Sequence, residues 1–413
     1  MVTFTTYFSV LSIIFIKVRI NVKWEQRKLS TLVTLHARIG WQNLRTSEFL
    51  DSGNYMLITG TDFNNGKIDY SKVHYVEKNR YDQDPKLQLH NGNILITKDG
   101  TIGKVAYVDR LKMPATLNAG IFNVTIKNKD ETNNKYLFNY LNAPFLMKYA
   151  TAESTGGTIK HLNQKVLVNF PVPISSIKEQ NKISNLLEII NKLLSLQQRK
   201  LEQLKLLEKA LQQKLFPNSF QEKPLLRILH GDNSWWNSYI GEVFTERVDK
   251  GSSEKLLSVS ITDGVYPFDE SKRKNNSSDD KHNYKKVFQN DIAYNSMRLW
   301  QGALGVSKYE GIVSPAYTVL KPLPNQNSIF YEFMFKNIDM LHIFQRNSQG
   351  LTSDTWNLKF NQLQHIKIKT TNLNSQNKIA KLLIKIEELK NNESNYYHNL
   401  MTLKKYLLQK LFI

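Results

Sequence analysis

The strongest constraint on the fold is an internal repeat. Residues 179–187, EQNKISNLL, return at 375–383 as SQNKIAKLL, and residues 211–216, LQQKLF, return at 407–412 as LLQKLF. Both pairs align without a gap, whereas the sequences ahead of the two copies are only loosely alike. Self-similarity at a fixed period is the signature of a duplicated structural unit. We therefore expect two divergent domains, each followed by a better-matched helix.

Each repeated segment has the heptad pattern of a coiled coil. Apolar residues recur at alternating steps of four and three. The predicted seam consists of Ile183, Leu187, Ile190, Leu194, Leu201, Leu204, Leu211 and Leu215 in the first copy, and of Ile379, Leu383, Ile386, Tyr397, Leu400, Leu407 and Leu411 in the second. Ser176 and Glu179 form a capping-box pattern, which predicts that the first helix begins there.

The short connection between the copies predicts how the helices pair. An α-helix from Ile183 to Leu215 rises about 48 Å at roughly 1.5 Å per residue. Because only residues 217–234 follow before the second domain, that domain must begin near the far end of the first helix. The second helix reaches the first only by running back along it. We expect an antiparallel coiled coil with a domain at each end and approximate twofold symmetry. The alternative, in which each helix packs on its own domain, suits shorter helices better.

Both divergent domains have the mixed pattern of an α+β fold. Residues 93–97 and 104–108 are predicted strands of a hairpin that turns at Gly100, and residues 291–294 and 302–306 repeat the plan with a longer tip. A helix is predicted at 135–149 and another at 329–344. The resulting division is an N-terminal extension at 1–23, a first domain at 24–172, a first spacer helix at 173–216, a linker at 217–234, a second domain at 235–369 and a second spacer helix at 370–413. We interpret residues 1–23 as an extra strand or as a start codon assigned too far upstream.

Composition narrows the class of protein. The 413 residues, 41% of them hydrophobic, are sufficient for two or three domains with real cores. More than half of the formal net charge of +20 lies outside the two helices, which favours an anionic partner for the domains. The absence of cysteine excludes a disulfide scaffold, a thiolate zinc site and a thiol nucleophile, and it fits a cytoplasmic protein. The apolar run at 7–16 is too short to span a bilayer, so no membrane association is expected.

Catalytic motifs are missing from the sequence. It contains no phosphate-binding loop, no dinucleotide-binding glycine pattern, no nucleophile elbow and no Asn-Pro-Pro-Tyr/Phe motif of amino methyltransferases. The nine histidines are scattered without metal-ligand spacing. We therefore predict that the chain is not an enzyme and binds no metal or cofactor of its own.

Loop tips in both domains carry side chains that can read base edges. Arg and Lys pair with guanine, and Asn and Gln pair with adenine, through two hydrogen bonds each. The candidates are Lys98, Lys104, Lys160, His161, Asn163 and Gln164 in the first domain, and Asn295, Arg298, Trp300, Gln301, Gln349 and Asn357 in the second. Each one alone is better explained as an ordinary solvated loop residue. Their recurrence at matching places in two copies favours binding for the group.

Several of these segments resemble the specificity subunits of type I restriction-modification systems. The resemblance rests on ILITKDGTIG at 94–103, GTIKHLN at 157–163, FPVP at 170–173 with Glu179 and Gln180, NSMRLWQG at 295–302, and GIVSPAY at 311–317. It extends over residues 24–413 and includes the duplication. The second copy departs from the pattern, because IKIK at 366–369 replaces the FPVP run.

The resemblance implies that each domain is a target-recognition domain for one half of a bipartite site in double-stranded DNA. It also implies that the helices set the spacing of the half-sites and dock two methyltransferase subunits, with two restriction/translocase subunits joining for cleavage. S-adenosylmethionine, ATP and Mg²⁺ would then belong to these partners.

Two other functions are compatible with the sequence. A recognition subunit of a methylation-only or another phage-defence system would share all of these features. A coiled-coil scaffold with two protein-binding domains would explain the helices but leaves the positive charge of the domains unexplained. The sequence does not specify the target bases.

Overall fold

The structure, a computed structural model, describes residues 24–153, 161–218, 220–228, 234–270 and 280–412. The predicted extension at 1–23 and the candidate Lys160 lie outside these residues. The chain divides into two units, Met1–Leu196 with Tyr397–Ile413, and Gln197–Tyr396. Each unit therefore contains one divergent domain and half of each repeated helix. The sequence-based boundaries, which separate the helices from the domains, stay predictions.

Among its described residues, the first unit contains a four-stranded sheet, a three-stranded sheet and two strand pairs. Its elements in chain order are β1 (Glu25–Lys28), α1 (Leu29–Leu32), β2 (Val33–Ala37), β3 (Met56–Ile58), β4 (Phe63–Asn64), β5 (Lys67–Ile68), β6 (His74–Tyr75), α2 (Lys78–Asp82), β7 (Ile94–Thr97), β8 (Val105–Tyr107), β9 (Ala115–Leu117), β10 (Ile121–Ile126), α3 (Asn134–Asn142), α4 (Phe145–Glu153), α5 (Gln164–Asn169) and β11 (Pro171–Ile174), followed by the long helix α6 (Ile177–Leu215). The larger sheet has the order β2-β10-β7-β8, the smaller has the order β6-β3-β9, and β1 pairs with β11.

The second unit repeats this plan. Its elements are β12 (Trp235–Tyr239), β13 (Phe244–Glu246), β14 (Lys250–Gly251), β15 (Leu257–Ser260), β16 (Gly264–Pro267), β17 (Tyr284–Val287), β18 (Ile292–Asn295), β19 (Leu304–Val306), β20 (Gly311–Val313), β21 (Tyr317–Pro322), α7 (Ser328–Phe335), α8 (Ile338–Asn347), α9 (Phe360–Leu363), β22 (Lys367–Thr371) and the long helix α10 (Leu373–Lys410). The sheet β13-β21-β18-β19 corresponds to β2-β10-β7-β8 of the first unit. The α+β fold and its duplication are confirmed.

The hairpin strand β7 lies at the centre of the first domain. All four of its residues are buried, with Ile94 and Ile96 in one core cluster and Leu95 in another. The sequence of a strand that is covered on both faces is a continuous apolar run, whereas a half-buried strand alternates apolar and polar residues. This explains why the run at 93–97 was recognisable from the sequence.

The second copy closes its domain with the same strand pair although its sequence differs. Residues Lys367–Thr371 of β22 pair antiparallel with β12, as Pro171–Ile174 of β11 pair with β1. Pro171 and Pro173 have no backbone N–H to donate, whereas Lys367 and Lys369 have one, yet both strands pair antiparallel with the first strand of their domain. The sequence departure at 366–369 therefore leaves the strand pairing intact.

The prediction of a single helix at 135–149 and of another at 329–344 is wrong, because each segment forms two helices. In the first domain the break falls at Ala143, which is extended because the residue before a proline is disfavoured in the α conformation, and Pro144 follows. In the second domain Asn337 leaves the helical conformation, and its Oδ1 accepts a hydrogen bond from Asp339 N as the N-cap of α8.

The end of each repeated helix packs into a domain core. The Phe412 ring, just after α10, lies 5.3 Å from the ring centroids of Tyr136 and Tyr140 in the first domain. The Phe216 ring, just after α6, lies 5.2 Å from that of Phe330 in the second domain. Each copy of the LQKLF-type ending therefore completes the core of the other copy's domain. This packing accounts for the second of the two repeated sequence segments.

The two long helices pack in opposite directions. In the first unit, the beginning of α6, from Ile183 to Leu194, shares a core cluster with Leu400, Leu407 and Leu411 near the end of α10. In the second unit, Leu215 at the end of α6 clusters with residues at the beginning of α10, Ile379 and Leu383. The antiparallel coiled coil is therefore confirmed. The other predicted seam residues, Leu201, Leu204, Leu211, Ile386 and Tyr397, are buried or half-buried.

Polar contacts interrupt the apolar seam in the second unit. The Nζ atom of Lys390 lies 2.8 and 2.7 Å from the two carboxylate oxygens of Glu208. Gln197 Nε2 donates to the carbonyl oxygen of Glu393 at 3.0 Å, and it also reaches the Glu393 carboxylate, as does Lys200. These hydrogen bonds, first from Gln197 and then from Lys200, hold the pKa of Glu393 below its usual value. Polar seam residues that find partners favour one helix register over its neighbours.

Candidate nucleic-acid interface

The turn between β7 and β8 presents basic side chains of the first unit. Thr97 N donates to Lys104 O at 2.9 Å, and Lys104 N donates to Thr97 Oγ1 at 3.0 Å, so the base of the turn is closed. Gly100 has a φ of +68°, a value that glycine adopts at no steric cost. The predicted hairpin and its left-handed glycine are confirmed.

A second segment lies directly against this turn. Leu162 N donates to Lys98 O at 2.9 Å, and His161 Nδ1 contacts the Asp99 carboxylate. Asn163 and Gln164 follow at the start of α5, and both are exposed. The structure therefore brings Lys98, His161, Asn163 and Gln164 together, with Lys104 exposed at the base of the same turn. Lys98 is half-buried, and its Nζ lies 5.8 Å from the centre of the Phe122 ring.

The corresponding turn of the second unit, between β18 and β19, is longer. Asn295 Oδ1 accepts a hydrogen bond from Met297 N at 3.0 Å, which starts the turn. Arg298 O accepts from Gln301 N at 3.0 Å across a short 3₁₀ helix. Gly302 ends that helix with a φ of +87°. The main chain of the loop is thus held by local hydrogen bonds, while Arg298 and Gln301 remain partly exposed.

Residues 349–358 pack against this longer turn. Gln349 and Asn357 exchange two backbone hydrogen bonds of 3.0 and 2.8 Å, and Leu358 N donates to Ser296 O at 2.9 Å. The Trp300 and Trp356 rings meet edge to face with their centroids 5.2 Å apart. All six candidates of the second unit therefore lie in one loop cluster.

The exposed Asp354 carboxylate is the acidic neighbour of Arg298. Its Oδ1 lies 3.6 Å from Arg298 Nη2, and the Asp354 side chain is 84% exposed. An exposed ion pair of this kind contributes little to stability. Arg298 can therefore exchange this contact for another anion or for a base edge at small cost.

Sequence reasoning missed a hydroxyl-rich turn beside the first hairpin. Thr59 Oγ1 lies 2.6 Å from Thr61 Oγ1, and Thr59 N donates to Asp62 Oδ2 at 2.7 Å. A Cβ placed on Gly60 would lie only 3.1 Å from Thr97 Cγ2, so the turn packs closely on the end of β7. Burial raises the pKa of Asp62.

An equivalent turn follows β15 in the second unit. Ser260 Oγ accepts from Asp263 N at 2.8 Å, and Thr262 Oγ1 donates to Asp263 Oδ2 at 2.8 Å. Hydrogen bonds, first from the Thr262 hydroxyl and then from the Ser260 hydroxyl, lower the pKa of Asp263. Hydroxyl side chains can donate to phosphate oxygens or reach base edges. The signal was a Thr-Asp dipeptide after a short strand in both copies, at 61–62 and at 262–263.

In the described part of the chain, no group of three or more His, Asp or Glu side chains is arranged to hold a metal ion. Within the same residues, no helix combines the length and the apolar character needed to cross a bilayer. Both loop clusters carry exposed and half-buried polar side chains on or beside hairpin turns that are closed by their own backbone hydrogen bonds.

A model of a known family matches the first half of the chain. Residues 21–206 match the family model described as the type I restriction modification DNA specificity domain. The match covers slightly less than half of the chain, and it assigns to that part a likeness to this domain family.

Curated relatives agree with this assignment. The chain is 24% identical over 141 residues to the EcoR124I/EcoR124II specificity subunit of a type I restriction enzyme from Escherichia coli, a match to 34% of each chain. It is 23% identical over 207 residues to the MjaVIII specificity subunit from Methanocaldococcus jannaschii, a match to 49% of this chain and 47% of the relative. The chain thus spans about a third to a half of the length of these relatives.

Solved structures share the fold over nearly the whole chain. The specificity (S) subunit of a type I restriction-modification system from M. genitalium superposes with a TM-score of 0.59 at 15% identity, covering 96% of this chain and 97% of that one. A structure described in work on complex assembly of the type I system has a TM-score of 0.55 at 15% identity, covering 95% and 98%. The resemblance to type I specificity subunits is confirmed.

Proposed function

We propose that this chain is the non-catalytic DNA-recognition subunit of a type I restriction-modification complex. Its two domains read the two halves of a bipartite site in double-stranded DNA. The observation that carries the proposal is the repeated loop cluster, in which guanine-reading and adenine-reading side chain types lie on or beside the corresponding hairpin turn of both copies.

Charge and rigidity support DNA as the ligand. The chain has a formal net charge of +20, and Lys98, Lys104 and Arg298 stand on the two hairpin turns. The turn backbones are closed by their own hydrogen bonds, so little conformational freedom is lost when a base edge is bound. A protein-binding scaffold needs neither feature.

The helices are proposed to dock the partner subunits. Leu193 and Leu207 on α6, and Leu389 and Tyr396 on α10, are exposed. Each directly precedes a residue on the heptad seam, and these side chains therefore flank the seam of their own helix. The seam residues are Leu194, Glu208, Lys390 and Tyr397. Apolar residues beside a coiled-coil seam suit packing of a further helix. We assign this role to two methyltransferase subunits, with two restriction subunits joining for cleavage.

The chemistry is assigned to those partners. S-adenosylmethionine, ATP and Mg²⁺ would be bound by the methyltransferase and restriction subunits, and the assembled complex would act on cytoplasmic DNA. A methylation-only or another phage-defence system remains the alternative within the same class, and the co-purified subunits distinguish it.

A salt titration of duplex binding tests the proposal. Neutralising phosphates makes log affinity fall with log salt by about 0.9 per phosphate contact. We expect a steep slope for the intact chain, and a slope shallower by about 2 when Lys98 and Lys104 are both changed to alanine. The double variant of Lys378 and Lys381, which removes two lysines from α10, is the charge-matched control and should keep the original slope. DNA recognition would be refuted by a duplex affinity that does not change with salt concentration. It would also be refuted if neither the chain nor its complex binds the duplex.

A further inference from the structure

The Gln-Asn dipeptide of the repeat, at 180–181 and 376–377, lies in the first turns of each long helix. Gln180 is fully buried, and Gln376 is 1% exposed. Buried amides are kept only where their donors and acceptors find partners. The contacts of these two glutamines therefore show what the repeated sequence holds in place.

In the first unit, Gln180 joins the long helix to the start of the domain helix α3. Its Oε1 accepts from Asn133 N at 2.9 Å, and its Nε2 donates to Glu131 O at 2.9 Å and to Ser175 O at 2.8 Å. Asn133 Nδ2 donates to Asn181 Oδ1 at 2.7 Å. Asn133 is itself the N-cap of α3, because its Oδ1 accepts from Tyr136 N at 2.9 Å.

The second unit has the same arrangement at α7. Gln376 Oε1 accepts from Asn327 N at 2.9 Å, and Gln376 Nε2 donates to Thr371 O at 2.7 Å. Asn327 Nδ2 donates to Asn377 Oδ1 at 2.6 Å. Asn327 caps α7 by accepting from Ile329 N at 2.9 Å. We call each set of glutamine, asparagine and capping asparagine the Gln-Asn clamp.

The surroundings of the two clamps differ, while the clamp contacts repeat. In the first unit Ser184 Oγ also donates to Asn133 Oδ1 at 3.1 Å. The corresponding residue of the second unit is Ala380, and there Gln376 Nε2 approaches the Tyr331 hydroxyl at 3.3 Å. The residues common to both copies are thus those that tie the domain helix to the long helix.

The clamp restricts the orientation of the domain helix relative to the long helix, as well as holding the two helices in contact. Gln and Asn on successive residues of the long helix hold two groups of one capping residue, its backbone N–H and its side-chain amide. Two hydrogen bonds from different atoms of the same residue restrict rotation, whereas one bond permits it. Each domain is therefore held at a set angle to the first turn of its own helix.

We propose that the two Gln-Asn clamps are positioning elements that restrict the chain to one spacing between the half-sites. This inference rests on the proposed function. A recognition domain that pivots on its helix would meet half-sites at several spacer lengths, whereas a clamped domain meets them at one.

The first test measures, without DNA, how tightly the angle between the first domain and α6 is held. Because the chain contains no cysteine, Lys112→Cys and Lys192→Cys place two spin labels in the first unit, one on the domain and one on α6. Asn181 is exposed, so Asn181→Ala removes one clamp bond with little risk to folding. We expect the interspin distance distribution of the labelled Asn181→Ala variant to be at least twice as wide as that of the labelled protein without this substitution. Asn185→Ala, an exposed asparagine further along the same helix, should leave the width unchanged. Equal widths in all three proteins would overturn the proposal.

The second test measures the spacing. Duplexes carry the two half-sites found by sequencing modified DNA, with the spacer varied one base pair at a time, and one duplex carries a single half-site. For Asn181→Ala with Asn377→Ala, we expect the preference for the best spacer over its neighbours to fall about threefold or more, with half-site affinity unchanged. A purely structural role would lower affinity equally at every spacer and would overturn the inference. A parent protein that binds no two-part duplex at all would instead refute the proposed function.

Discussion

A chain lacking residues 194–200 and 390–396 should prefer a two-part DNA site with a shorter spacer. Removing seven residues shortens each helix by about 10 Å at roughly 1.5 Å per residue. This length equals about three base pairs at roughly 3.4 Å each. Seven residues are one heptad, so the apolar seam on both sides of each deletion stays in phase. Binding to the spacer series should reach its maximum at a shorter spacer, and binding at the original spacer should fall to that of a single half-site.

Pairing of the two helices explains why both deletions are needed. In the first unit the beginning of α6 pairs with the end of α10, and in the second unit the end of α6 pairs with the beginning of α10. Equal deletions preserve both pairings, whereas a deletion in α6 alone can preserve only one. The single deletion is therefore the control, and we expect it to lower the melting temperature. A folded double-deletion protein that still prefers the original spacer would show that the coiled coil does not set the distance.

Arg298→Ala should weaken binding to the target by about 1–3 kcal/mol and relax one position of the recognised sequence. Arg298 stands in the 3₁₀ loop of the second unit, and its ion-pair partner is the exposed Asp354. A guanine can replace this contact with two hydrogen bonds to the guanidinium. Competition binding with every base substituted at every position of the target measures both effects.

Arg346 provides the matched control for Arg298. It is an exposed arginine of the same unit, in the last turn of α8. Arg346→Ala changes the net charge equally, so it should weaken binding slightly and alike for all sequences. If the two variants give the same profile, Arg298 contributes only charge, and base reading must be assigned to other residues of the loop cluster.

Local patterns made much of the fold predictable. The hairpin of the first domain followed from an apolar run and a glycine, and both are determined by residues close in sequence. The antiparallel helices followed from heptads together with the short linker at 217–234. The sequence contained a signal for each helix break, namely Pro144 after Ala143 and the capping residue Asn337. Apolar periodicity across both segments outweighed these signals in the prediction.

Long-range contacts were the part that the sequence did not specify. Phe412 packs against Tyr136 and Tyr140, which lie far away in the chain. Gln180 appeared only as a member of a repeated motif, because its role depends on where Asn133 lies in the fold. Lys98 and Arg298 lie on the two hairpin turns, but the packing of residues 161–164 and 349–358 against those turns is a long-range contact that the sequence did not show. Which residues of these loops touch bases depends on the bound DNA, and that assignment stays a prediction.

We propose that this chain reads a divided DNA sequence for partner subunits that modify it. Sequencing of modified bases in genomic DNA tests it most directly, with cells that carry the whole system compared with matched cells that lack only this gene. We predict one modified motif in two parts separated by a spacer of fixed length, lost when the gene is absent and restored when it is returned. An identical set of modified sites in both strains would contradict the claim.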